Sequence, residues 1–203
     1  MNSYEELVDQ LDREGVIVDE TILPNRCPKA NGLYIEDQRP VALVNGNRTQ
    51  VHKRCILAEE AGHHYRSFGN ILDQSTVQAR KAENAGRRWA WEKILPLEYI
   101  ALEKWGNPDL NIQDLAAHMD VTESFLLDAV LHYRRKHGSR VDLPCMLTVQ
   151  FDPYFDVWKT DEPHEEYSLY CRNPRGLDFR HRDRLAVMAR KLFAQTNNIN
   201  NEV

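Results

Sequence analysis

Cys55-Ile56-Leu57-Ala58-Glu59-Glu60-Ala61-Gly62-His63-His64-Tyr65 is the stretch that decides the fold. It lies in a predicted helix from about Gln50 to Tyr65, with Val51, Cys55, Ala58 and Gly62 near one face. The Asn45-Gly46-Asn47 break precedes that helix, and Asn47 or Thr49 is its expected cap. Helical residues four apart lie about 40° from each other, so Glu59 and His63 project from one face. Glu60 sits one step round, within reach of a water held between them. This is the spacing of the H-E-x-x-H helix, in which the flanking residues bind metal and the Glu acts as base. Here Glu59 stands in the place of the first His.

A metal helix of this kind needs a third protein donor and one open position for water. Glu83, on the predicted helix from Ser75 to Lys93, is the candidate. A helix pair joined by a short loop would bring it back over His63. Gly86 and Ala90, one turn apart, are small enough to let the two helices approach closely. Glu83 also stands four residues before Arg87, so a local ion pair is the alternative reading.

Outward from these helices the chain is punctuated clearly. Tyr4 to Glu14 reads as a short amphipathic helix with Leu7 and Leu11 in register, and Val16 to Leu23 is mixed. Leu33 to Glu36 and Val41 to Val44 read as two strands of a β-hairpin around Asp37-Gln38-Arg39-Pro40. Further helices are expected at Leu97 to Lys104, Ile112 to Met119 and Glu123 to His137. After Gly138 the pattern alternates over Leu143 to Phe151, Phe155 to Lys159 and Glu166 to Cys171, as strands do. A last helix is expected over Arg180 to Ala194, followed by a polar tail.

Taken in order, these residues resemble the ImmA/IrrE metallo-endopeptidases of phages and mobile elements. Leu57 to Tyr65 is similar to the active-site helix of that family. Glu83, followed by Trp89-Ala90-Trp91-Glu92-Lys93-Ile94-Leu95-Pro96, resembles its second helix, where an acidic ligand precedes an aromatic-Ala pair and a proline stop. The resemblance spans about residues 4–137. It implies His63 and Glu83 as ligands and Glu60 as the base, with Glu59 as a variant ligand in the E-E-x-x-H motif. It further implies Zn2+, or another divalent metal, and a protein substrate, typically a helix-turn-helix repressor encoded nearby. Carboxylate oxygen is an acceptable zinc donor, but two anionic ligands would neutralise the dication and weaken its pull on bound water. A catalytically weak or inactive protein that regulates a repressor or toxin by binding is therefore the rival reading.

Other residues take lesser parts. His64 is four residues after Glu60, which reads as a local pair, or as a group that stabilises the transition state. His52 is three turns before His63, too far to share an ion, and the remaining histidines show no ligand spacing. Val41, Ala42, Leu43 and Val44 are the candidate edge strand on which a substrate chain would pair, with a plain structural strand as the alternative.

Ile112 to Thr122 resembles the first helix and turn of a helix-turn-helix. The helix that follows presents Glu123 and Asp128 where a DNA-reading helix carries basic or amide side chains. Packing is the preferred reading of that segment. The net charge of -5 and pI near 5.9 also argue against nucleic acid as the main partner. No apolar run approaches the roughly 20 residues needed to span a bilayer, and no secretory signal is evident, so a cytoplasmic protein without a membrane partner is expected. Cys27, Cys55, Cys145 and Cys171 form no C-x-x-C pair and read as reduced, structural thiols. The expected fold is α+β: a zincin-like helix pair with a small antiparallel sheet and a helical subdomain over residues 1–138. A β-plus-helix extension of unknown role then occupies 139–203.

Overall fold

Tyr4, Leu7 and Leu11 form the buried stripe of α1 (Ser3–Arg13), and their three- and four-residue spacing explains why this segment is a helix. The computed structural model describes residues 3–21, 31–66 and 77–160. Helix α1 closes at Gly15, whose φ of 80° suits a residue without a Cβ. Val16 then turns into β1 (Ile17–Thr21), which precedes β2 (Gly32–Ile35) and β3 (Val41–Asn45). The sheet order is β1-β3-β2, with β2 antiparallel and β1 parallel to the central β3.

The hairpin falls where the alternation placed it, but the sheet is mixed rather than antiparallel because β1 joins it in parallel. Periodicity left Val16 to Leu23 undecided for a physical reason. Val18 and Glu20 lie opposite Ala42 and Val44, both fully buried, so Glu20 is on the face turned toward the core. Its carboxylate is paired there with the Lys53 ammonium. A charged residue on the inward face hides the apolar alternation that marks a strand.

Helix α2 (Gln50–Arg66) packs against α1, β2 and β3, and against α3 (Val77–Ile94). Thr49 is the cap of α2, its Oγ1 accepting the His52 N–H at 3.4 Å. The turn after α5 (Ile112–His118) and the start of α6 (Glu123–His137) close on α2 as well. Arg54, only 2% exposed, donates from one guanidinium nitrogen to the backbone oxygens of Met119, at 3.0 Å, and Asp120. Thr122 donates its backbone N–H to Cys55 Sγ at 3.4 Å, and its Oγ1 accepts the Phe125 N–H at 3.3 Å, capping α6. The helix-turn-helix lookalike is thus anchored through its turn to the helix that carries the motif.

Contacts group the chain into two compact units, residues 1–94 with 116–129, and residues 95–115 with 130–203. In the second, α4 (Leu97–Gly106) packs on a sheet of β4 (Arg140–Leu143), β5 (Leu147–Gln150) and β6 (Asp156–Lys159). This sheet is antiparallel throughout, in the order β4-β5-β6. The single strand expected over Leu143 to Phe151 is divided between β4 and β5 by a tight turn in which Met146 has φ 62°. Tyr133 Oη donates to the Leu95 carbonyl at 3.0 Å, tying the end of α6 to the segment that leads into α4. Among the described residues the architecture is α+β, with six helices and two three-stranded sheets. No helix there is long and apolar enough to cross a membrane. The strand expected at Glu166 to Cys171 and the helix at Arg180 to Ala194 lie outside the described residues.

Candidate metal centre

Two glycines set the separation of the motif helices. A Cβ on Gly62 would come within 2.1 Å of the Gly86 carbonyl oxygen, and one on Gly86 within 2.8 Å of His63 Nδ1. Both distances are below van der Waals contact, so the backbone of Gly62 meets that of Gly86 directly and the His63 ring packs where a Gly86 side chain would be. The imidazole of His63 lies flat against Gly86 and reaches Glu83, with 3.2 Å between His63 Nε2 and Glu83 Oε2. Arg87 Nε donates to the other Glu83 oxygen at 2.9 Å. The local pair and the contact with His63 therefore coexist on one carboxylate.

Glu60 is 8% exposed and His63 7% exposed, an unusual depth for charged groups. Burial pushes the Glu60 carboxyl up to about 8, against the partial compensation of the nearby imidazole. Glu59 is half-buried and its pKa is also raised, again chiefly by desolvation. Burial opposes charge on His63 too, but Glu83 and the two neighbouring carboxylates outweigh it and raise its pKa. Glu83, hydrogen-bonded by His63, is held below the usual carboxylate range and stays ionised. Three carboxylates thus share one imidazole and one guanidinium in a poorly hydrated crossing. The arrangement is short of positive charge.

Two ligands about 2.0–2.1 Å from one zinc at a tetrahedral angle lie roughly 3.3 Å apart. His63 Nε2 and Glu83 Oε2 meet that spacing as they stand. Glu59 couples electrostatically to both but does not close a triad with them. Among the described residues no three His, Cys, Asp or Glu side chains converge on one ion-sized point. Donor chemistry, the spacing of the pair and the local charge deficit fit a divalent cation; the third donor is not in place.

The remaining expected residues fall elsewhere. His64 does not pair with Glu60. Its Nδ1 is 2.8 Å from Tyr34 Oη and its Nε2 is 3.3 Å from Glu14 Oε2, so both ring nitrogens are engaged. Val41 to Val44 form the central strand, with both edges used, and have no free main-chain groups for an added chain. The outer strands of this sheet, among the described residues, are β1 and β2. It is β2 that lies beside the motif. A Cβ on Gly32 would meet Glu60 Oε1 at 2.3 Å and Ile56 Cγ2 at 2.6 Å, and the Tyr34 N–H is turned toward the Glu60 carboxylate.

Sequence reasoning did not single out Gly32, Tyr34 or Glu14. Asn31-Gly32 is by sequence a turn-forming pair, and strand residues that touch a helix far along the chain leave no local spacing. Cys55 and Cys145 are buried and outside any disulfide, and burial raises the Cys55 pKa. Comparison of the chain with family models, curated proteins and solved structures returns no match.

Proposed function

We propose that this chain is a metal-dependent endopeptidase of the ImmA/IrrE type, with a zincin-like helix pair, acting on a protein such as a phage or mobile-element repressor. One observation carries the reading: His63 and Glu83 face each other across the α2–α3 crossing at 3.2 Å, with buried Glu60 on the adjoining turn. His63 and Glu83 would hold Zn2+, with Glu59 as the third donor. When bound, the ion supplies a polarised carbonyl and a more acidic water. Glu60 takes the proton of the attacking water on its carboxylate. A carboxyl pushed up to about 8 binds a proton well at neutral pH, so it suits that role once nearby positive charge restores its ionised form. Arg87 keeps Glu83 ionised and fixes one of its oxygens, leaving the other toward His63.

A second reading has its own support. Glu59 and its neighbours do not close a three-donor set, and β2 covers the Glu60 carboxylate. A protein of this form would bind a repressor or toxin without cutting it.

The test is metal content and proteolysis together. Purified protein is expected to carry about one zinc, His63→Ala none, and Glu60→Gln the full amount. Cleavage of a repressor substrate should fall about 10²–10⁴-fold in Glu60→Gln. Zinc-free wild type, even after reconstitution, rejects the metal site and leaves the binding protein. Full zinc with no cleavage of any substrate selects an inactive variant. Glu59→His then gives a further check, because imidazole in that place should tighten zinc and raise activity.

A further inference from the structure

The alternating hydrogen bonds of the β2–β3 hairpin determine which amides of β2 point outward. Asn45 N–H donates to the Asn31 carbonyl at 2.9 Å, which makes Asn31–Asn45 a hydrogen-bonded pair. The register continues through Leu33↔Leu43 and Ile35↔Val41, so the amides of Gly32 and Tyr34 face away from β3. The Tyr34 amide is turned toward the Glu60 carboxylate, whose Oε1 lies against Gly32 on the same edge. Gly32, on the same side, leaves room for that carboxylate and for nothing larger. The orientation of Glu60 therefore depends on where β2 lies over α2.

A second contact from the same residue fixes that place. Tyr34 Oη is 2.8 Å from His64 Nδ1, one helical turn beyond Glu60. His64 Nε2 is 3.3 Å from Glu14 Oε2, just past the end of α1. A carboxylate only accepts, so the Nε2 hydrogen points to Glu14, Nδ1 carries the lone pair, and the Tyr34 hydroxyl donates to it. Glu14 is itself held, because Tyr65 Oη donates to its other oxygen. A chain of polar contacts thus runs from Glu14 through His64 and Tyr34 to Glu60.

We propose that Tyr34 is a positioning residue for Glu60, and that Glu14 acts through His64 to keep Tyr34 in place. This rests on the peptidase reading for its catalytic consequence, but the positioning itself is observable without activity. Tyr34→Phe keeps the amide and the ring and removes only the hydroxyl, so the strand loses its pin while its fold is retained.

The experiment follows the backbone amide at position 34 by 1H–15N NMR on the full chain, in wild type and in each variant. An N–H held against a carboxyl oxygen moves downfield as that contact shortens. Its proton is expected to move upfield in Glu60→Ala, which removes the acceptor, and to move in the same direction in Tyr34→Phe and in Glu14→Ala. Glu14→Gln, which keeps an acceptor oxygen for His64, should restore most of the shift. Glu14→Ala with Tyr34→Phe should be no worse than Tyr34→Phe alone, because the two lie on one chain. On a cleaved substrate, Tyr34→Phe should lower kcat about 10–100-fold with little change in KM and unchanged zinc content. An amide shift unmoved by Tyr34→Phe, or additive effects of the Glu14 and Tyr34 changes, overturns the proposal. A wild type that cuts nothing rejects the peptidase reading instead and leaves the amide result to decide this one.

Discussion

At Glu60, burial and three ionisable neighbours decide the protonation state, and the consequence for stability has a definite sign. A free glutamate titrates near 4.5, whereas this one is pushed up to about 8. The folded state therefore holds the proton more tightly than the unfolded state. Stability from this group is fully present below about pH 4.5, is lost as the pH rises toward 8, and is flat beyond. At about 1.4 kcal/mol per pKa unit, the loss is at most roughly 4–5 kcal/mol. Glu83 runs the other way, contributing stability above its ordinary range and losing it as the pH falls. In chelator-treated protein, Glu60→Gln should match wild type near pH 4.5 and exceed it by a few kcal/mol at pH 8.5. Urea titrations at both values check this, and parallel curves for the two proteins would contradict the burial argument. Added zinc should narrow the difference if the cation lies beside Glu60.

Among the elements, the α2–α3 crossing and the α5–α6 turn are two points of close contact with α2. Alanine is the better helix former by about 1 kcal/mol, so propensity alone favours replacing Gly62 or Gly86. Sterics reverse this at Gly62, where the Cβ would strike backbone at 2.1 Å, but less so at Gly86, where it meets a ring at 2.8 Å. Gly62→Ala is expected to destabilise by about 1–3 kcal/mol. Gly86→Ala should have a smaller cost but displace His63 from Glu83 and weaken zinc binding. Thermal melts and zinc titration of the two variants separate these outcomes; equal stability losses with zinc affinity intact would be inconsistent with the crossing described. Arg54 plays the corresponding role at the α5–α6 turn. Arg54→Met should cost about 2–4 kcal/mol, because it leaves the Met119 and Asp120 carbonyls without their donor. A urea midpoint unchanged in Arg54→Met would show that solvent replaces it.

For the whole molecule, the change of character after Gly138 suggested an appended segment. The sheet that begins there is nevertheless the surface on which α4 packs within its own unit. Helix α4 buries Leu97, Ile100 and Leu102, and β5 buries Leu147 and Val149. Removing residues 139–203 strips that helix of its sheet and exposes several large apolar side chains, each worth about 1.5–3 kcal/mol of burial. The shortened chain is expected to lose cooperative unfolding and to bind a hydrophobic dye. A fragment ending at Gly138 with the full-length urea transition would make the extension dispensable.

Local pattern was enough for much of this protein. The helices α1 to α6, the β2–β3 hairpin and the strand at Asp156–Lys159 follow from apolar spacing, caps and turn residues, all short-range properties of the chain. The same holds for the candidate residues on one helix face, since Glu59, Glu60 and His63 are related by helical geometry alone. Pairing across elements is a different matter. Only the tertiary structure put Glu83 against His63, turned His64 to Tyr34 and Glu14, and laid Gly32 and Tyr34 over Glu60. It also decided that β1 joins in parallel, which makes Val41–Asn45 the central strand and leaves β2 at the edge. Strand order depends on backbone hydrogen bonds that any side chain permits, and long-range contacts depend on how layers stack. Neither leaves a periodic mark in the residues that make it.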